Sequence, residues 1–186
     1  MGYFFDPDEL HQISRDALDA GDTEAIIDTV VRELKGRYPA QIRDDVPWMF
    51  NNAGGAMGQM KLLHCSLSEY ILVFGTPIGT EGHSGRYRTE VYDFMLAGEM
   101  WCYHAGEVER AIYRPGDAAF LGADRAKGYR VPDHAWMLEY SRGPIPMMLP
   151  FGLSDSMVST LDTRTIGQTI WHYGRMTVGN LLRGKI

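Results

Sequence analysis

The sequence predicts a mainly β fold with helices at both ends. Three observations carry this prediction. From Met60 to Ser141, short apolar runs alternate with Gly, Pro and Asp turn signals at even spacing, the pattern of a barrel or sandwich. Before about residue 45 and after Gly143, apolar side chains instead recur every three or four positions, the period of a helix. The 186 residues are 45% apolar, enough for one domain with a substantial core. A single domain over 1–186 is therefore expected, with N-terminal helices in 1–45, a β-barrel in 50–143 and C-terminal helices in 144–186.

The first helix starts at Asp6. Asp6 is a good N-cap, Pro7 suits the first helical position, and Asp8 and Glu9 favour the positive end of the helix dipole. Leu10, Ile13, Ala17 and Leu18 follow at helical spacing, and Gly21 ends the run. A second helix starts near Asp22 or Thr23. Its stripe is Ile26, Ile27, Val30, Val31 and Leu34, and Gly36 is expected to close it. Both stripes read as packing faces.

Pro39 and Pro47 bracket a connector. Residues 51–60 then carry three glycines. They lack the Gly-Lys-Ser/Thr and GxGxxG patterns that cradle phosphate, so a glycine-rich turn feeding a strand is expected. Strands are expected at Leu62–Ser66, Tyr70–Phe74, Arg88–Leu96, Met100–His104, Glu107–Tyr113, Ala118–Leu121 and Ala135–Tyr140. The Arg114-Pro115-Gly116-Asp117 turn leading into a strand resembles the cupin class of small barrels. Cupin enzymes hold a metal through an HxH pair. Here His11, His64, His83, His104, His134 and His172 are all far apart, so no metal site is expected. An apolar-lined cavity is the better expectation.

Residues 144–153 are unusually apolar for a surface segment, with Pro144, Ile145, Met147, Met148, Leu149 and Phe151. A final helix is expected from about Asp162 to Leu182, about 30 Å long at 1.5 Å per residue. Arg164, His172, Arg175 and Arg183 interrupt its apolar side chains, so it is no membrane span. It suits a helix lying in a membrane interface, or one closing the barrel. No basic leader and no run of about 18 apolar residues occurs, so neither a signal peptide nor a transmembrane span is expected. A net charge of −6 argues against nucleic acid as a partner. Cys65 and Cys102 fit no metal spacing or disulfide framework and read as reduced thiols, although a single bridge stays open.

Two carboxylates stand out against this background. Glu139 lies in the apolar run 135–141 and, on strand alternation, shares a face with Ala135 and Met137. Asp93 shares a face with Thr89, Val91 and Met95. An acid on an apolar strand face more often meets solvent or an arginine, and Arg86, Arg88 and Arg142 are at hand. If both acids instead face one cavity, desolvation and repulsion raise at least one pKa. Such a pair suits moving protons on an apolar substrate or holding an apolar cation.

Longer motifs carry a specific resemblance. They are Phe50–Gly58, Leu62–Tyr70, Phe74-Gly75-Thr76, Gly82–Tyr87, Trp136–Tyr140, Leu149–Gly152 and Ser159–Asp162. In this order, over nearly the whole chain, the sequence resembles the fungal Δ8–Δ7 sterol isomerases and the animal sigma-1 receptor.

The resemblance implies a cupin-like barrel around an occluded apolar cavity, with two C-terminal helices covering its mouth and lying on a membrane. It implies a homotrimer. It also implies a membrane segment before the first helix, which this sequence lacks, so peripheral attachment through the C-terminal helices, cytoplasmic or endoplasmic-reticulum-like, is expected. Glu139 matches the receptor's amine-binding glutamate, Asp93 the acid that shares its proton, and Tyr70 the tyrosine bonded to that glutamate. Met60, Leu62, Leu72, Phe74, Ile145, Leu149 and Tyr173 match cavity-lining positions. Leu121 stands where the receptor has a pocket histidine. The fungal enzymes have their acid nearer Glu90, which faces away from Asp93 on alternation and ranks second.

The activity so implied is a cofactor-independent isomerase. An acid protonates carbon 9 of a Δ8 alkene, and a base removes a proton from carbon 7. The alternative is a non-enzymatic binder of lipophilic amines or sterols using the same carboxylates.

Overall fold

The computed structural model describes residues 2–185. Helix α1, Pro7–Asp16, starts where expected: the Asp6 carboxylate accepts the Asp8 and Glu9 N–H groups at 2.9 and 3.2 Å. Helix α2, Thr23–Arg37, is capped by Asp22. It runs through Gly36, contrary to the sequence expectation. The stop comes at Tyr38, whose hydroxyl donates to Glu9 of α1 and whose ring packs edge-on against Phe5. Tertiary contact, rather than the glycine, sets that end.

Ten strands follow. They are β1 Met49–Ala53, β2 Ala56–Cys65, β3 Glu69–Thr76, β4 Thr80–His83, β5 Glu90–Gly98, β6 Met100–Tyr103, β7 Ala111–Tyr113, β8 Ala118–Leu121, β9 Gly128–Val131 and β10 Ala135–Arg142. The glycine-rich segment is a two-residue hairpin between β1 and β2. Gly54 and Gly55 have φ of +62° and +88°, the pair of left-handed residues that a type I′ turn requires. A Cβ on Gly54 would also sit 2.2 Å from the His83 carbonyl oxygen. Sequence reading missed β1, β4 and β9, which are short and carry Asn, Gly and charged residues. It also overran β7, because residues 104–107 form a turn in which the Glu107 carboxylate accepts the His104 N–H.

The strands form two sheets, one in the order β1-β2-β3-β10-β5-β8 and one in the order β4-β9-β6-β7. The cupin-like arrangement is present, but its hydrogen bonding does not run round as a closed barrel. The six-stranded sheet is buried on both faces. One face packs Leu63, Ile71, Val73, Phe94, Leu96, Leu138 and Tyr140 against α1 and α2. The other contributes Met60, Leu72, Phe74, Met95 and Met137 to a cluster shared with Met100, Cys102 and Val131 of the smaller sheet. Bulges between Leu62 and His64 and between Trp136 and Met137 shift the registers of β2 on β3 and of β10 on β5. Both cysteines are free and buried.

A 3-10 turn at Ile145–Met148 leads into α3, Leu149–Val158, and then α4, Thr163–Leu181. Helix α4 is reversed relative to an ordinary surface helix. Thr165, Thr169 and Asn180 are buried against the protein, while Ile170, Trp171, Val178 and Leu181 face outward. Its far end is fixed. The Asn180 side-chain amide donates to the Cys65 carbonyl at 2.7 Å, and the Lys185 ammonium meets the fully buried Glu69 carboxylate at 2.8 Å. Glu69 also accepts from Phe4 N–H and the Tyr140 hydroxyl, and Lys185 donates to the Gly2 carbonyl.

Breaking such a pair from one side strands a charge in the interior. Lys185→Met is therefore expected to destabilise the protein by about 3 kcal/mol, while the double change with Glu69→Gln recovers most of the loss. Chemical denaturation of the three proteins measures this. An unchanged midpoint for Lys185→Met would show that the pair holds nothing.

Candidate active site

The register of β10 builds the site. Glu139 pairs with Asp93 of β5 on one side and with Leu72 of β3 on the other. Directly opposed residues on antiparallel strands point to the same face. Both carboxylates therefore enter the space between the two sheets.

Each has one strong partner. The Tyr70 hydroxyl donates to Glu139 Oε1 at 2.5 Å. Burial, and then the nearby Glu139 carboxylate, push the Tyr70 phenol well above its usual pKa, so it remains a donor. The Lys127 ammonium donates to Asp93 Oδ2 at 2.6 Å, with both side chains buried. Lys127 lies just before β9 and crosses from the smaller sheet. Its backbone is pinned at both ends by Ser84, whose Oγ accepts the Lys127 N–H and whose N–H donates to the Lys127 carbonyl, each at 2.9 Å.

Glu139 keeps some accessible surface, but that surface faces the cavity and not bulk water. Desolvation is the main cause that raises its pKa, and Asp93 adds to it. Tyr70 and Lys127 work in the opposite direction, and the balance stands at about 7. For Lys127, burial is the largest influence and acts to lower the pKa, but Asp93 and the other nearby acidic groups together outweigh it and the ammonium is held charged. The two carboxylates thus differ: Asp93 is held by the Lys127 ammonium, and Glu139 is pushed toward its protonated form.

The surrounding walls are apolar. Met60, Leu72, Phe74, Met137, Ile145 and Leu149 line the cavity, and Tyr173 closes it from α4 with its ring edge-on to Tyr70. The space between these walls, with open solvent at the mouth included, is about 1020 Å³. Tyr87 and Tyr129 add hydroxyls that burial keeps protonated.

Two expected site residues lie elsewhere. Leu62 is fully buried in the cluster around the cavity and does not reach its wall. Glu90 is outside the cavity, opposite Arg142, whose Nε donates to it at 2.6 Å. The Tyr92 hydroxyl donates to the same oxygen. The odd–even alternation that puts Asp93 inside puts Glu90 out. Lys127 is the residue that sequence reading missed, since nothing in Ala126-Lys127-Gly128 distinguishes it from a surface turn. Among the described residues, no group of three His, Cys, Asp or Glu side chains is placed to hold a metal ion.

Comparison with known proteins adds a lineage. The family model described as "ERG2 and Sigma1 receptor like protein" matches residues 1–185. The C-8 sterol isomerase of Neurospora crassa is 44% identical over 187 residues, spanning 98% of this chain and 73% of that protein. The sigma non-opioid intracellular receptor 1 of Gallus gallus is 41% identical over 186 residues, spanning 98% and 82%. Among solved structures, an RmlC-like cupin from Shewanella frigidimarina superposes with a TM-score of 0.43 at 16% identity, covering 56% of this chain and 94% of that one.

The Glu139 environment has a consequence for stability. Its folded pKa of about 7 lies above the ordinary 4.5. The contribution is therefore complete below about pH 4.5 and is lost as pH rises through about 7. The melting temperature of the wild type relative to Glu139→Gln, which does not titrate there, is expected to fall between about pH 5 and about pH 8. A difference that stays flat or rises over this range would mean that Glu139 is ionised throughout.

Proposed function

The chain belongs to the ERG2 and sigma1 receptor-like family, and from that membership we propose a sterol isomerase that moves a ring double bond from Δ8 to Δ7. One observation carries the reading above all: Glu139, its pKa raised by burial, lies beside the Lys127-paired Asp93 in an apolar cavity. Protonating an alkene requires an acid that is neutral at rest and shielded from water. Glu139 gives its proton to carbon 9, and positive charge develops at carbon 8. A proton on carbon 7 next to that charge is strongly acidic, so a weak base removes it. Asp93 takes that proton, the electron pair closes the Δ7 bond, and exchange with water clears Asp93 and restores the proton on Glu139 before the next turnover. No cofactor is consumed.

Between the two transfers Glu139 is anionic. The cavity then holds two carboxylates and one ammonium opposite the carbocation, in a site poor in water, where such stabilisation is large. Tyr70 holds the Glu139 carboxylate in place and bonds best to its charged form. Met60, Leu72, Phe74, Ile145, Leu149 and Tyr173 supply the apolar walls against the rings.

The same geometry supports a second ligand class. Above about pH 7 an ionised Glu139 leaves the cavity with a net negative charge, so a lipophilic ammonium fits in place of the carbocation. Non-catalytic binding of amines or sterols is the alternative that this favours.

We further propose attachment to a membrane surface through α3 and α4. Met157, Val158, Leu161, Ile170, Trp171, Val178 and Leu182 are exposed on this side of the protein, beside Arg164 and Arg175. An apolar outer face edged with cations suits the headgroup region. No helix among the described residues is long and apolar enough to cross a bilayer. Assembly as a homotrimer and an endoplasmic-reticulum-like location belong to the same reading.

Glu139→Gln is expected to retain less than a tenth of wild-type turnover, since general acid–base catalysis is worth about 10²–10⁴-fold. Asp93→Asn should be similarly impaired and Glu90→Gln milder. The assay is conversion of a Δ8 sterol in deuterated water, with a Δ7 product labelled at carbon 9. Full activity of Glu139→Gln would remove it from the chemistry. For the membrane, the full chain is expected to float with anionic liposomes, and the double variant Ile170→Glu, Trp171→Glu to lose flotation. Equal flotation of the two would place the contact elsewhere.

A further inference from the structure

We propose that Lys127 sets the net charge of the cavity and thereby selects a neutral sterol over a lipophilic cation. The proposal rests on the cavity being the ligand site named above. Lys127 is the one lysine or arginine among the described residues that line the cavity. Its ammonium is fixed on Asp93 at 2.6 Å, and its backbone is fixed by Ser84 on both sides. It is a built part of the wall and not a passing surface chain.

The charge count follows from every titratable group that faces the site. Tyr70 on β3, Tyr87 before β5, Tyr129 on β9, Tyr173 on α4 and Cys102 on β6 are all held protonated by burial. His83 at the end of β4 accepts the Gly85 N–H on Nδ1 at 2.9 Å, which requires the neutral ring. Charge is left to Glu139, Asp93 and Lys127. With Glu139 protonated the cavity is neutral, so an uncharged sterol enters without an unpaired charge. One net negative charge appears only when Glu139 gives up its proton, opposite the cation it has created. Without Lys127 that negative charge would stand in the cavity at rest, where a preformed ammonium would satisfy it. The ammonium of Lys127 also favours the ionised form of Glu139, so it makes Glu139 a stronger acid toward the alkene. Lys127 acts through the two carboxylates and is a positioning residue.

The test is a charge ladder read by binding. The probes are N-dodecylpiperidine and its uncharged analogue dodecylcyclohexane, with affinities taken for wild type, Lys127→Met, Lys127→Arg, Asp93→Asn and the Asp93→Asn, Lys127→Met double variant. Lys127→Met is expected to bind the amine at least about tenfold tighter than wild type, the lower end of what one neighbouring charge does to an ionic equilibrium. Asp93→Asn should bind it at least about tenfold more weakly than the double variant, because only the lysine charge separates them. Lys127→Arg and the double variant carry the wild-type count and should match wild type. The uncharged analogue should not discriminate among the five. The wild-type amine affinity should weaken as pH falls through about 7, and Lys127→Met should bind the amine to lower pH.

Removing Lys127 alone strands Asp93, so that variant can fail to fold. The pairing of Asp93→Asn with the double variant then carries the decision with no stranded aspartate. Equal amine affinity within either pair overturns the proposal. Turnover of a Δ8 sterol by the wild type is scored separately. Its absence would end the isomerase reading and leave the ladder standing, whereas a flat ladder with normal turnover would end the role of Lys127 alone.

Discussion

A carboxylate in an apolar cavity must be protonated or paired, and this protein uses both solutions on adjacent strands. Asp93 is paired with Lys127, and Glu139 is pushed toward its protonated form. The first solution joins the two sheets, because Asp93 belongs to the larger and Lys127 enters from the smaller. The second depends on the first. Were Asp93 not neutralised, its charge would drive the Glu139 pKa higher. Sheet packing and the electrostatics of Glu139 therefore both depend on one contact of 2.6 Å.

Much of this was legible in the sequence because it depends on local rules. Asp6 and Asp22 cap their helices as their chemistry dictates, and Gly54-Gly55 form the turn that only glycines make easily. Strand alternation grouped Glu139 with Met137 and Asp93 with Met95 and put Glu90 on the face opposite Asp93, while the expectation that both acids face one cavity came from the family resemblance. What escaped depends on distant partners. Gly36 is passed over because Tyr38 finds Glu9 across two helices. The β1, β4 and β9 strands have little β propensity of their own and are held by their neighbours. Lys127 is an ordinary surface lysine by every local measure. Only the meeting of two sheets makes it an interior charge, and no window of sequence contains both of them.

Helix α4 shows how an inverted pattern can mislead. Its inner face carries Thr165, Thr169 and Asn180 beside Tyr173 and Met176, and there Asn180 holds the Cys65 carbonyl. Its Ile, Trp and Leu side chains form the outer face. A reader who assigns the apolar stripe to the core docks the helix backwards. The inversion is consistent on the inner side, where Asn180 meets a strand end and Thr169 a cavity wall, while the outer apolar side chains stay exposed.

The two thiols gain a use from where they lie. Cys65 sits beneath α4, its Sγ 3.5 Å from the Thr177 hydroxyl, and burial pushes its thiol up to about 12. Cys102 lies in the smaller sheet near Lys127, and burial pushes it up to about 11. Neither forms a useful amount of thiolate while the structure is closed, so an alkylating reagent reacts only with molecules that have opened. The chain thus carries two built-in clocks. One ticks when the covering helix lifts, and the other when the sheets part. Comparing their rates would say which of the two openings is the more frequent.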